Sequence, residues 1–183
     1  DRIEPALLPK IRRHTGRQPL FEERGLQGEI ERSLKPRVWL RSGGSIVIIP
    51  TEALVAVDVN TGKYVGRKRL EETILRTNLE AAVEIVRQVR LRDLGGIIVI
   101  DFIDMAEQAS KDEVVRALQG EMLKDRAKSR MLQISEFGLV EITRQRTRRS
   151  LERVLCRPCP ACSGSGRLKS PERILWEILR QVR

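Results

Sequence analysis

The feature that most constrains the fold is a long amphipathic segment between two short apolar runs. The runs are ALVAVDV at residues 53–59 and GGIIVID at residues 95–101, and their length and β-branched content are typical of buried strands. The segment between them, residues 70–93, carries apolar side chains at spacings of three and four, which predicts a helix with Ile74, Ala81, Ala82, Ile85 and Val89 on its apolar face. A strand, a helix and a strand in this order predict a β-α-β unit with parallel strands.

The flanking sequence predicts further strands and helices, so the expected fold class is α/β, with a mixed sheet and flanking helices. Residues 37–49 contain RVWL, a glycine turn and SIVII, which predict a β-hairpin. Helical periodicity is present over residues 26–34 and again from residue 171. A capping box beginning at Ser110 predicts a helix that runs to about Arg130, and MLQIS and LVEIT predict short strands.

Three polar side chains follow the two strands of the β-α-β unit. Asp58 and Asp101 each lie at the carboxyl end of their strand, where open α/β sheets bind ligands. Asn60 faces the same way as Asp58, because side chains alternate along a strand. Two close carboxylates repel unless a proton or a cation lies between them, and oxygen ligands suit Mg²⁺ or Mn²⁺. The same spacing also suits aspartates that only cap the turn after a strand, as Asp104 is expected to do, and it does not separate the two interpretations.

Basic residues are abundant near these strands and elsewhere. The net charge is +10 and 33% of the residues are charged, which favours a polyanionic partner, either nucleic acid or an acidic membrane surface. The candidates for contacts with phosphates are Lys63, Arg67, Lys68 and Arg69, just after Asp58, and Arg144 and Arg146 in a later arginine run. A solvated basic surface is the alternative interpretation of both stretches. Aromatic residues make up only 3% and are scattered, so a base-stacking platform is not predicted.

No apolar run approaches the roughly 18 residues of a membrane span, and no secretory signal is present. All three cysteines lie in CRPCPAC, which does not resemble a disulfide framework and indicates a reducing cytoplasm. Cys156, Cys159 and Cys162 have the spacing of a zinc knuckle, but a structural zinc takes four ligands. A second copy of the chain is the simplest source of the missing ligands; a redox dithiol and reduced cysteines in a turn are the alternatives.

Five stretches taken together resemble the ribonuclease E/G family of bacterial endoribonucleases. They are GGSIVIIPTEALVAVDVNTGK, TNLEAA, LRDLGGIIVIDFIDM, FGLVEITRQR and CPACSGSG, and the similarity extends from about Pro19 to Arg167. The resemblance implies Mg²⁺-dependent cleavage of single-stranded, AU-rich RNA in RNA processing and decay, leaving 5′-phosphate and 3′-hydroxyl ends. A non-catalytic, basic RNA-binding scaffold held together by zinc is the alternative function.

The resemblance also implies roles for individual residues. Asp58 and Asp101 would bind the catalytic Mg²⁺, and Asn60 would orient the second of these carboxylates. Cys159 and Cys162 match the family's zinc link, in which each of two protomers supplies such a pair to one Zn²⁺. Cys156 lies outside that pattern.

The implied architecture has four parts. Residues 1–33 would end an RNase H-like subdomain, 34–155 would form a DNase I-like catalytic subdomain, 156–167 the zinc link, and 168–183 the start of a small dimerisation domain. The chain begins without a Met and ends within a helical pattern, which indicates a piece of a longer protein. The resemblance further implies a cytoplasmic homo-oligomer, a dimer or a dimer of dimers, with partners of the degradosome type that bind outside this segment.

Overall fold

The computed structural model describes residues 5–62, 70–132 and 138–182 of the 183-residue chain. The chain separates into two compact units, Asp1–Leu151 and Glu152–Arg183. The division falls a few residues before the boundary at residue 155 expected from the sequence. Among the described residues, no helix is both long and apolar enough to cross a membrane.

The first unit is built on a six-stranded mixed sheet. Its strands are β1 (Arg37–Trp39), β2 (Ser45–Pro50), β3 (Leu54–Asn60), β4 (Gly96–Asp101), β5 (Ser129–Met131) and β6 (Leu139–Arg144). They lie in the order β1-β2-β3-β4-β6-β5, and the β3–β4 pair is parallel while the other pairs are antiparallel. The predictions of a mixed sheet, of a hairpin formed by β1 and β2, and of parallel β3 and β4 are therefore confirmed.

Helices cover one face of this sheet. The main ones are α3 (Leu70–Leu91) and α4 (Gln108–Met122), which pack against each other, and α3 also contacts β2 and β3. Alternate strand residues enter the core with the apolar face of α3, including Ile48, Val57, Ile100 and Ile85. The intervening strand residues face the other way, and Ile49 and Ile97 there are about half exposed. We call this second side the open face of the sheet.

Two details of α4 differ from the prediction. The helix begins at Gln108 with Glu107 as its N-cap and no side-chain cap, so Ser110 lies inside the first turn. It ends at Met122, well before Arg130, which is already part of β5. Burial of Val114 and Leu118 sets the position of the helix more strongly than local capping does.

The shorter helices flank these elements. The N-terminal part contains a 3₁₀ turn (Pro5–Lys10), α1 (Leu20–Glu23) and α2 (Leu26–Ser33). The end of the chain contains α5 (Leu151–Leu155) and α6 (Pro171–Gln181). Ser170 caps α6, with its hydroxyl oxygen accepting a hydrogen bond from the Arg173 N–H at 3.3 Å. The helices predicted near residues 26–34 and from residue 171 are thus present.

Candidate active site

The two aspartates singled out by the sequence are direct neighbours in the sheet. Asp58 at the end of β3 is in register with Asp101 at the end of β4, and adjacent strands lie about 4.8 Å apart. Both side chains are exposed, while Val57 and Ile100, the residues before them, are buried on the helix side. The carboxylates therefore emerge side by side on the open face.

Asn60 lies on the same face and binds one of these carboxylates. Its side-chain N–H donates a hydrogen bond to Asp58 Oδ2 at 2.5 Å. The resemblance implies that Asn60 orients the second carboxylate, Asp101. In the structure, the hydrogen-bond partner of Asn60 is instead the first carboxylate, Asp58. The bond fixes the rotamer of Asp58 and leaves its second oxygen for a further ligand.

The chemistry of this donor set fits a small, hard cation. Two exposed carboxylates and one amide supply oxygen ligands, and Mg²⁺ is usually held by one or two carboxylates together with water and substrate phosphate oxygens. Among the described residues, no cluster of three or more His, Cys, Asp or Glu side chains could hold a metal ion. At a site built on Asp58 and Asp101, with the Asn60 amide beside them, water and substrate phosphate oxygens would supply further ligands.

Helix α3 holds the chain that follows Asp101. Asn78 is fully buried, and its amide pairs with the backbone of Ile103 in both directions. Its Nδ2 donates to the Ile103 carbonyl at 2.8 Å, and its Oδ1 accepts from the Ile103 N–H at 3.1 Å. Ile103 is two residues beyond Asp101, so this two-point contact fixes the direction in which the chain leaves β4.

The same helix holds the turn between β1 and β2. The Glu80 carboxylate accepts the backbone N–H groups of Arg41 (2.5 Å) and Ser42 (2.9 Å). Burial alone would raise the pKa of Glu80, but hydrogen bonds from Ser42 and Arg41 lower it below its ordinary value. Glu80 thus remains ionised and ties this turn to α3.

The turn between β1 and β2, held by Glu80, packs against the end of β3. A Cβ on Gly44 would lie 2.7 Å from the Asn60 carbonyl oxygen and 2.8 Å from a methyl group of Thr77, so only glycine fits there. Gly62 likewise touches the Gly43 carbonyl closely enough to exclude a Cβ. Through these contacts, α3 braces the strand end that carries Asp58 as well as the one that carries Asp101.

Sequence reasoning did not assign roles to Asn78 and Glu80. The available signal was the stretch TNLE on α3, where Thr77 and Asn78 are polar residues at positions that the helix buries. A buried polar side chain needs hydrogen-bond partners, and such a pair on a core-facing helix indicates contacts to a neighbouring loop.

The arginine proposed from the sequence as a phosphate ligand on β6 has a structural role instead. The Arg144 side chain is only 6% exposed and forms ion pairs with Asp125 (2.6 Å) and Asp93 (2.9 Å). It also donates to the Leu94 carbonyl at 2.7 Å. Its guanidinium is therefore occupied by internal partners, and the prediction that Arg144 contacts RNA phosphates is wrong.

The other basic candidates fall into two groups. Arg146 is exposed, donates to the Gly95 carbonyl at 3.1 Å and lies across Gly95 and Gly96, where it stays accessible to a phosphate. Lys63, Arg67, Lys68 and Arg69 lie outside the described residues.

The three cysteines lie in the second unit and are free thiols. Cys162 Sγ accepts a hydrogen bond from the Gly166 N–H at 3.3 Å. This bond, together with one from the Gly164 N–H, lowers the pKa of the Cys162 thiol. Gly164 and Gly166 both have left-handed backbone conformations, which wrap the chain around the sulfur. Stabilising the thiolate suits a metal ligand, because metals bind the deprotonated form.

The sequence of this chain is similar to those of known proteins. A model of the Ribonuclease E/G family matches residues 1–147. Ribonuclease G of Escherichia coli (strain K12) is 47% identical over 178 residues, covering 97% of this chain and 36% of that protein. Ribonuclease G of Haemophilus influenzae is 45% identical over 182 residues, covering all of this chain and 37% of that protein.

The similarity extends to a second, longer kind of relative. Ribonuclease E of Escherichia coli (strain K12) is 45% identical over 178 residues, covering 97% of this chain and 17% of that protein. The chain thus spans about a third of the length of these ribonuclease G relatives and less than a fifth of this ribonuclease E. Since the family match covers most of its length, this chain belongs to the ribonuclease E/G family.

Proposed function

We propose that the protein is a metal-dependent endoribonuclease that cuts single-stranded, AU-rich RNA in RNA processing and decay. The observation that carries this proposal is the direct register of Asp58 and Asp101 on adjacent parallel strands, both exposed on the open face. The names of the relatives, ribonuclease G and ribonuclease E, support the reaction class. The three cysteines all lie within residues 156–162, which does not resemble a disulfide framework and supports a reducing, cytoplasmic setting.

In the proposed reaction, water adds to the phosphorus and the bond from phosphorus to the 3′ oxygen breaks. The products are a 5′-phosphate and a 3′-hydroxyl, the latter taking up a proton. Asp58 and Asp101 would hold Mg²⁺, which when bound supplies Lewis-acid stabilisation of the charge that develops on the attacked phosphate. Asn60 holds Asp58 in one orientation. Arg146 would be available to another phosphate of the same RNA.

A basic RNA-binding scaffold without catalysis would not need the aspartate pair, so metal dependence separates the two functions. We expect the whole protein to cleave a single-stranded AU-rich oligonucleotide in Mg²⁺ and to lose nearly all activity in EDTA, with recovery when Mg²⁺ is restored. RNA end analysis should show 5′-phosphates. RNA binding that is salt-sensitive but unaffected by Mg²⁺, without cleavage, would favour the scaffold.

The second unit would join protomers. We propose that Cys159 and Cys162 of two protomers share one Zn²⁺. We also propose that residues 34–155 form a DNase I-like subdomain. It would lie in the sequence between the end of an RNase H-like subdomain and the start of a small dimerisation domain. The free thiols and the stabilised Cys162 thiolate support this ligand pair. Degradosome-type partners would bind elsewhere in the protein.

A shared site fixes the metal stoichiometry. We expect about one zinc per two chains by elemental analysis, because a tetrahedral structural site takes four ligands and each chain provides two. Cys159→Ser and Cys162→Ser should lower the zinc content and shift the protein towards monomers in sedimentation, whereas Cys156→Ser should change neither. Zinc content unaffected by the first two substitutions would contradict this ligand set.

A further inference from the structure

A large aromatic side chain is exposed on the same sheet as the aspartate pair. Trp39, on the edge strand β1, is 70% exposed, the most of any aromatic side chain in the described part of the chain. Val38 beside it packs against the core on the helix side. Since side chains alternate along a strand, Trp39 and Arg37 both lie on the open face.

The strand register places these two side chains in line with the candidate site. Arg37 pairs with Val47, which pairs with Asp58, which pairs with Asp101. In the next row, Trp39 pairs with Ser45 and Ser45 with Asn60. Two strand spacings, about 10 Å, therefore separate Arg37 and Trp39 from Asp58 and Asn60. Of the positions between them, Val47 is partly exposed and Ser45 is buried, and neither carries a charge that would repel a polyanion.

Arg37 and Trp39 are already associated with each other. The guanidinium carbon of Arg37 lies 5.6 Å from the centroid of the Trp39 ring, within the range of a cation–π contact. A flat aromatic surface next to a flat cation is suited to a nucleotide, because the base stacks on the ring and the cation attracts its phosphate. A single exposed apolar side chain is ordinary on protein surfaces. What distinguishes Trp39 is its cationic partner and its alignment with the aspartates.

We infer that Trp39 and Arg37 form a base-stacking site for the RNA strand beside the phosphate under attack. This inference rests on the proposed function, since it assigns the ligand from the reaction. One nucleobase stacks on the indole, and Arg37 holds the adjacent phosphate. Stacking requires an unpaired base and tolerates all four bases, so the site selects single-stranded RNA over duplex more than it selects a sequence.

Kinetics of the whole protein test the inference. Trp39→Ala should raise KM for a single-stranded RNA oligonucleotide about tenfold, equivalent to about 1.4 kcal/mol, with kcat within about twofold of the unaltered protein. Trp39→Phe keeps a ring and should recover most of the affinity. Trp176→Phe is the matched control, because Trp176 is an exposed tryptophan on α6 in the other unit. Equal KM values for Trp39→Ala and Trp39→Phe would overturn the inference.

A binding measurement separates this site from catalysis. The fluorescence of Trp39 is the difference between the unaltered protein and Trp39→Phe. In EDTA, a single-stranded RNA decamer should quench this fluorescence, and a duplex of the same sequence should not. The inference is overturned if labelled RNA binds by anisotropy without that quenching. It is also overturned if acrylamide cannot reach Trp39 in the RNA-free protein, which would mean that another protein segment covers the face. Quenching by RNA in EDTA, combined with no cleavage of the same RNA when Mg²⁺ is present, would leave the stacking site intact and reject the proposed hydrolase.

Discussion

Asp101→Asn and Asp58→Asn should each reduce RNA cleavage by about a thousandfold or more while leaving the fold intact. The amide has nearly the shape of the carboxylate but lacks the charge that would hold Mg²⁺ and balance the charge developing on the phosphate. Both side chains are exposed, so we expect the free energy of unfolding to change by no more than about 0.5 kcal/mol. Single-turnover cleavage and urea unfolding measure the two effects separately.

The open face offers a matched control for these variants. Glu141 on β6 is in register with Val99, so its carboxylate lies on the same face as Asp101 but one step away from the aspartate pair. Glu141→Gln removes the same charge and should leave cleavage nearly unchanged. The assignment of the metal site is wrong if Asp101→Asn cuts RNA at the normal rate, or if Glu141→Gln is equally inactive.

Arg144→Met should destabilise the first unit by about 3 kcal/mol, because removing one member of a buried ion pair leaves the other charge buried without its partner. The uncompensated groups would be Asp125, which is 7% exposed, and the Leu94 carbonyl. Arg146→Met is the control, because Arg146 lies two residues further along the chain and is exposed. We expect it to change the free energy of unfolding by about 0.5 kcal/mol or less. Urea unfolding of the whole protein, following the transition of this unit, makes the comparison.

The effect of Arg144→Met should depend on pH. Burial would raise the pKa of Asp125, but its bonds with Arg144 and with the Ala127 N–H lower it below its ordinary value of about 4. A carboxyl with a lowered folded-state pKa stabilises the protein above its unfolded pKa, and this contribution is lost as the pH falls through the folded value. The difference in free energy of unfolding between the unaltered protein and Arg144→Met should therefore be largest at pH 7 and become smaller below about pH 4. A difference that stays constant down to acid pH would contradict the role assigned to the ion pair.

The arrangement of the aspartates was predictable from sequence because it follows from local periodicity. Alternation along β3 and β4 and the length of α3 were enough to predict parallel neighbours with Asp58 and Asp101 at their ends. The partners of Arg144 were not predictable in this way, since Asp125 and Asp93 are far from it in sequence. Nothing in the arginine run itself indicates which of its members is buried. The place of Trp39 was not predictable either, because a low aromatic content does not show which single ring shares a face with the aspartates.

The bracing by α3 has a consequence for how such proteins can diverge. The contacts through which α3 holds the two strand ends lie within residues 37–103, and β6 pairs with β4 on the side away from β3. Ribonuclease G and ribonuclease E of Escherichia coli match the chain almost equally, at 47% and 45% identity, although the chain aligns with 36% of one and 17% of the other. Sequence outside the aligned region can therefore differ greatly in length between relatives, while the region that contains the aspartate pair stays similar.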